Sequence, residues 1–166
     1  MRHILFILLL GICGSLSARQ TPSGNEFSNP KELIESRNFY VELDRAFPVG
    51  GHAIDLFSNR ATITVTDSIA RGFLPFFGRG YSVSYGGDGA IEFNNTMEDV
   101  RLIVKDKKKH PLVIFQFNIK GKDDKYQVIL TVTGNNSCSV SVSGNRRSSI
   151  SYSGKIYPAQ PETDKH

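Results

Sequence analysis

The chain runs to 166 residues with 20 basic and 16 acidic side chains, 39% hydrophobic residues, no tryptophan and two cysteines. That length supports one domain with a real core, and the near-even charge excludes a basic stripe of the kind that binds nucleic acid. With Cys13 lying in a leader, Cys138 has no intramolecular partner, so a disulfide and a two-cysteine metal site are both excluded.

The N-terminus reads as a secretory signal over residues 1–18. Arg2 and His3 supply a positive start, residues 4–12 an apolar segment, and Leu16-Ser17-Ala18 a small-residue cleavage site. The apolar segment is too short to span a bilayer as a helix, so no transmembrane segment is expected. Ile12 directly before Cys13 disfavours lipid attachment there. The chain is therefore expected to be exported, with residues 19–28 a flexible lead-in, 29–158 a single β-rich domain and 159–166 a disordered tail.

Asn29 reads as a helix N-cap, with Pro30 at the first helical position and Glu32 three residues after the cap, which predicts a short helix over 30–36. From there the apolar period is two. Phe39, Val41 and Leu43 alternate with Tyr40 and Glu42; Ala61, Ile63 and Val65 alternate with threonines; Val100, Leu102 and Val104 alternate with Arg101 and Ile103. Four cleaner strands follow, marked by Val113 to Ile119, Tyr126 to Val132, Cys138 to Val142, and Ile150 to Ile156. The links at 107–111, 121–124, 134–136 and 144–147 are short and turn-forming, which favours antiparallel neighbours over parallel crossovers. The fold class is all-β, mainly antiparallel: a single-domain meander forming a half-open barrel or a two-sheet sandwich, with a short N-terminal helix. A long segment, 67–95, is positioned to cover one mouth of a barrel.

Within that segment, residues 72–93 concentrate aromatics and glycines in a span too irregular for a plain strand. Phe76 and Phe77 read first as a plug closing the core and second as an aromatic wall for a ligand. In a strand over 80–85, Tyr81 and Tyr85 share a face and could line a rim, with Arg79 at its neck able to hold an anionic group. The competing role for Arg79 is an ion pair with Asp88 or Glu92. Gly86-Gly87-Asp88-Gly89 is a turn signal without the further oxygen ligands of a calcium loop. The candidate ligand-binding set is thus Phe76, Phe77, Arg79, Tyr81, Tyr85 and Asp88.

No catalytic pattern emerges: there is no nucleophile elbow, no His-Glu-x-x-His and no cysteine–histidine dyad. Cys138 alternates with Val140 and Val142 on one strand face and reads as a buried, inert thiol. No enzyme activity, cofactor or metal is expected. The expected partner is a small apolar or amphipathic ligand; the alternative is a structural or protein-interaction module using a sheet face or edge. The serine-rich face of 137–143 and the Arg146-Arg147 turn motivate that alternative, and a hydrolase working through Asp88 or Glu92 ranks below both.

Asn38-Phe39, Ala46-Phe47-Pro48, Leu74-Pro75-Phe76-Phe77-Gly78, Tyr85-Gly86-Gly87-Asp88-Gly89 and residues 147–154 (RSSISYSG) together resemble the domain-of-unknown-function family 4251. The likeness runs over about residues 30–158. Phe76 stands where a tyrosine is common in that family, and Ser84 where a proline is expected. The resemblance implies an exported protein of a Gram-negative envelope, periplasmic or outer, and carries over no catalytic or binding residue. Asp67-Ser68-Ile69 also looks like a short O-glycosylation sequon of exported proteins, although Asp67 equally reads as a helix cap.

Overall fold

A computed structural model describes residues 29–58, 60–80, 89–105 and 112–159. Residues 1–28, the link 107–111 and the residues beyond Ala159 fall outside it. Helix α1 (Pro30–Glu35) starts where the cap signal sits: Asn29 is extended, and its side-chain oxygen accepts from the Lys31 N–H at 3.0 Å. Such a cap is worth about 1 kcal/mol. Glu32 accepts from the Asn29 side-chain amide at 3.3 Å, so the two still meet across the first turn. Leu33 and Ile34 are fully buried and hold this short helix to the body, which its own hydrogen bonds alone could not do.

Ten strands follow: β1 (Asn38–Pro48), β2 (Ile54–Asp55), β3 (Ala61–Thr66), β4 (Ile69–Pro75), β5 (Ala90–Thr96), β6 (Glu98–Lys105), β7 (Leu112–Lys120), β8 (Lys125–Val132), β9 (Ser137–Ser143) and β10 (Ile150–Pro158). All the pairings are antiparallel, in the order β5-β4-β3-β1-β10-β9-β8-β7-β6, with β2 added beside β1. The sheet curls until β5, at one end of the order, reaches the end of β7, next to the last strand. Phe93 bridges Gly121, and the Lys122 N–H donates to the Glu92 carbonyl at 3.0 Å. Of the two architectures compatible with the alternating pattern, the protein adopts the barrel, nearly closed.

Alternation decides which side chains fill it. Phe39, Val41, Val65, Phe115, Phe117, Val128, Val140 and Tyr152 point inward and are essentially inaccessible, while their neighbours along each strand face water. Phe115 packs edge-on against Phe39 at 6.0 Å and lies 5.6 Å from Phe117. The interior is thus packed with side chains, as expected for a small barrel. Where β4 passes β5, Gly72 sits directly beneath the Phe93 ring, which covers the space a side chain would need.

Two expectations change. The Val100, Leu102 and Val104 face does not turn into the core: only Val100 packs against it, while Leu102, Ile103 and Val104 are 37, 44 and 40% exposed. β6 pairs with β7 alone, through a bulge between Glu98 and Arg101, so it flares from the body as an edge strand. Asp67 caps no helix. With φ 53° it turns the β3–β4 hairpin, and its N–H donates to the Arg37 carbonyl at 2.7 Å.

The Cys138 thiol is buried on the inward face of β9, as its alternation with Val140 and Val142 implied. Burial, reinforced by the charge of Asp44, pushes its pKa up to about 12. Folded protein is therefore expected to resist a thiol reagent at pH 8 and to react stoichiometrically once denatured. Rapid labelling of the folded protein would show that β9 opens far more readily than its packing implies.

Candidate functional site

Within the aromatic segment, residues 76–80 leave the end of β4 and run beside the chain that leads into β10. Pro75 ends β4, and its carbonyl accepts from the buried Tyr152 hydroxyl at 2.9 Å. Phe76 then donates its N–H to the Gly89 carbonyl at 2.6 Å, drawing the two ends of the segment together. The Phe76 ring packs against the core and lies 5.1 Å from the Arg147 guanidinium. Beyond it, the Arg79 N–H donates to Ser148 Oγ at 3.2 Å, the Ser148 N–H returns to the Arg79 carbonyl at 3.0 Å, and Gly80 bridges Arg147. Residues 75–80 thus form an arm stitched to the start of β10.

Under this arm lies a polar cluster that the sequence did not announce. Arg147 is only 6% exposed, and its Nε and Nη2 both donate to Asp123 Oδ2, at 3.1 and 2.6 Å. The other carboxylate oxygen accepts from the buried Tyr126 hydroxyl at 2.6 Å. Burial works to raise the Asp123 pKa, but the hydrogen bonds from Tyr126 and Arg147 and the guanidinium charge outweigh it and hold the carboxyl below its usual range. Tyr126 moves the opposite way, raised by burial and by its bond to Asp123. This Arg–carboxylate–Tyr triad braces the arm.

The candidate residues therefore separate. Phe76 joins the plug, Phe77 stands 41% exposed on the arm, and Arg79 is exposed at its far end. Glu92, one of the two acids considered for Arg79, faces Lys122 at 3.7 Å. Tyr81, Tyr85 and Asp88 lie outside the described residues. Arg147, read as part of a surface turn, is turned inward. Arg146 is exposed and its N–H binds Asp124 Oδ2 at 2.7 Å. Asp123, Tyr126 and Arg147 were missed because nothing in a one-dimensional pattern ties a turn acid to an arginine 24 residues later. Tyr126 carried the one usable signal: an inward phenol needs a partner for its hydroxyl.

Among the described residues, no group of three or more His, Cys, Asp or Glu side chains is placed to hold a metal ion. None of the helices there is long and apolar enough to cross a membrane. A concavity of about 280 Å³ lies on the outer wall where β1 and β10 run beside the β2–β3 connection.

A small, nearly closed antiparallel barrel, packed inside and plugged at one end by an aromatic arm, is the class of protein this geometry defines. The family model for the domain of unknown function DUF4251 matches residues 22–156, and the chain belongs to that family. Its fold is similar to the 1.95 Å crystal structure of a DUF4251 family protein from Bacteroides eggerthii, with a TM-score of 0.60 and 20% identity. That likeness covers 77% of this chain and 84% of the other. No curated protein gave a significant sequence match.

Proposed function

We propose that this is an exported, non-enzymatic envelope protein that binds a small apolar or amphipathic ligand at the armed end of its barrel. The observation that carries the reading is Phe77. It holds a large apolar ring in water on an arm fixed by backbone and side-chain hydrogen bonds on both sides, whereas an aromatic needed only for packing would turn inward as Phe76 does. With the described interior occupied by side chains, the ligand rests outside, against Phe77 and Arg79. The leader and the family resemblance support export to a Gram-negative envelope. The elevated pKa of Cys138 argues against thiol chemistry.

The two phenylalanines give the test. Phe76→Ala is expected to cost about 2–3 kcal/mol, since it removes a ring from the plug. Phe77→Ala should cost less than about 1 kcal/mol yet abolish any mass that co-purifies with the exported protein in native mass spectrometry. Ligand retained by a stable Phe77→Ala variant would overturn the reading.

A second reading, an interaction module, is favoured by the exposed Leu102, Ile103 and Val104 on the β6 edge, where unpaired backbone groups invite another strand. Ile103→Lys should then abolish a dimer or a captured partner seen by light scattering. A monomeric wild-type protein with no partner would count against it.

A further inference from the structure

On the outer wall, β1 changes neighbour. Up to Leu43 it pairs with β3, and at Arg45 and Ala46 it pairs with β2 instead. Asp44 falls at the bulge between, where the β1–β10 register also shifts. The chain is held where it leaves β2 and where it approaches β3. The Leu56 N–H donates to the Asp44 carbonyl at 2.8 Å and its side chain is buried. Arg45 pairs with Asp55 at 3.0 Å, and Arg60 with Glu42 at 3.1 Å. Yet the next residue, Phe57, is 81% exposed, the most exposed of the large apolar residues described. A fixed backbone therefore presents a bare aromatic ring at the edge of a depression.

That depression has a mixed lining. Leu43 and Leu56 lie along it, and Phe57 and Tyr157 are its aromatic residues. Its polar groups are Glu42, Asp44, Arg60 and Lys155. Tyr157 is itself held in place, stacked on Tyr40 at 5.1 Å. Two carboxylates and two cations sum to no formal charge, which disfavours an ionic ligand. Carboxylates only accept and Lys or Arg only donate, so a group able to do both can bridge them. A hydroxyl does so. The volume, about 280 Å³, sits just under the roughly 300–1,000 Å³ of small-molecule sites: room for a ring, too little for a lipid chain.

We infer that the depression framed by Phe57, Tyr157, Glu42, Asp44, Arg60 and Lys155 is a binding site for a neutral saccharide unit. A pyranose has an apolar C–H face to lie on Phe57 or Tyr157 and hydroxyls around its edge to bridge carboxylate and cation. The site is on the barrel wall, away from the Phe76–Phe77 arm, and stands or falls independently of the ligand proposed there.

The experiment is a titration of the ¹⁵N-labelled exported protein with maltose, cellobiose, lactose and chitobiose at millimolar concentration, with L-phenylalanine as a zwitterionic control. At least one disaccharide is expected to shift the amides of Phe57, Lys155 and Tyr157 in a saturable way. Phe57→Ser, at a side chain too exposed to matter for folding, should weaken that binding about tenfold or more, equivalent to about 1.4 kcal/mol. Glu42→Gln should weaken it too, and Phe77→Ala should leave it unchanged. Silence from all four sugars, binding that survives Phe57→Ser, or a response to L-phenylalanine alone would each overturn the assignment.

Discussion

Gly154→Ala is expected to be the most damaging conservative change on a regular strand, costing about 3 kcal/mol. Gly154 lies on β10 opposite Leu43, beside the bulge where β1 gains a residue. A Cβ there would overlap the Glu42 carbonyl oxygen and approach the Leu43 Cα to 2.7 Å. Both are backbone atoms locked into strand pairing on either side of β1, so no side chain can swing away to make room. Relief would require moving the β1–β10 seam, which joins the two halves of the meander. A melting-temperature drop of roughly 10 °C is the corresponding signal for a domain of this size. Gly89→Ala is the control: among the described residues its nearest contact would lie an unstrained 3.6 Å away, and stability should barely move. A Gly154→Ala protein melting within a degree or two of wild type would show that the seam is looser than its geometry.

Asp123→Ala should cost nearly as much, about 2–3 kcal/mol, for an electrostatic reason. It strands the Arg147 guanidinium at 6% exposure with its carboxylate gone and leaves the Tyr126 hydroxyl without its acceptor. Asp123 keeps some contact with water, which places the cost at the lower end for a broken buried pair. Adding Arg147→Met removes the stranded charge, so the double variant should be more stable than Asp123→Ala alone. No recovery in the double variant would mean that the lost stability lay in packing.

The same triad sets a pH profile. The carboxyl of Asp123 titrates lower in the folded state than in the unfolded chain, so its stabilisation is complete above the unfolded value of about 3.9 and is lost as pH falls through the folded one. Tyr126 is raised on folding, so its contribution is present below about pH 10 and declines as the unfolded phenol ionises above that. Urea midpoints measured at pH 3 and pH 7 should differ less in the Asp123→Ala protein than in wild type. An identical difference in both would remove Asp123 from the acid limb.

Period-two alternation makes most strands legible in the sequence, because a half-buried strand must write its two faces into its residues. The cap at Asn29 was legible for an equally local reason: an orphan N–H needs an acceptor within reach along the chain. Cys138 announced its own burial through its alternation with Val140 and Val142. Alternation failed for β6, since it says that a strand has two faces but not that a body stands behind one of them. Leu102 and Val104 look like core residues until the sheet order leaves β6 with a single neighbour.

What the residues determined by themselves was therefore local: an all-β chain, its strand faces, its helix start and the burial of Cys138. Tertiary structure decided the choice of barrel over sandwich, the inward turn of Arg147 onto Asp123, and the change of neighbour along β1 that leaves Phe57 in water above its groove. Each of these depends on which distant segments meet. A charge pair between turns or a jog between strands involves residues far apart in the chain, and local propensity carries no record of that distance.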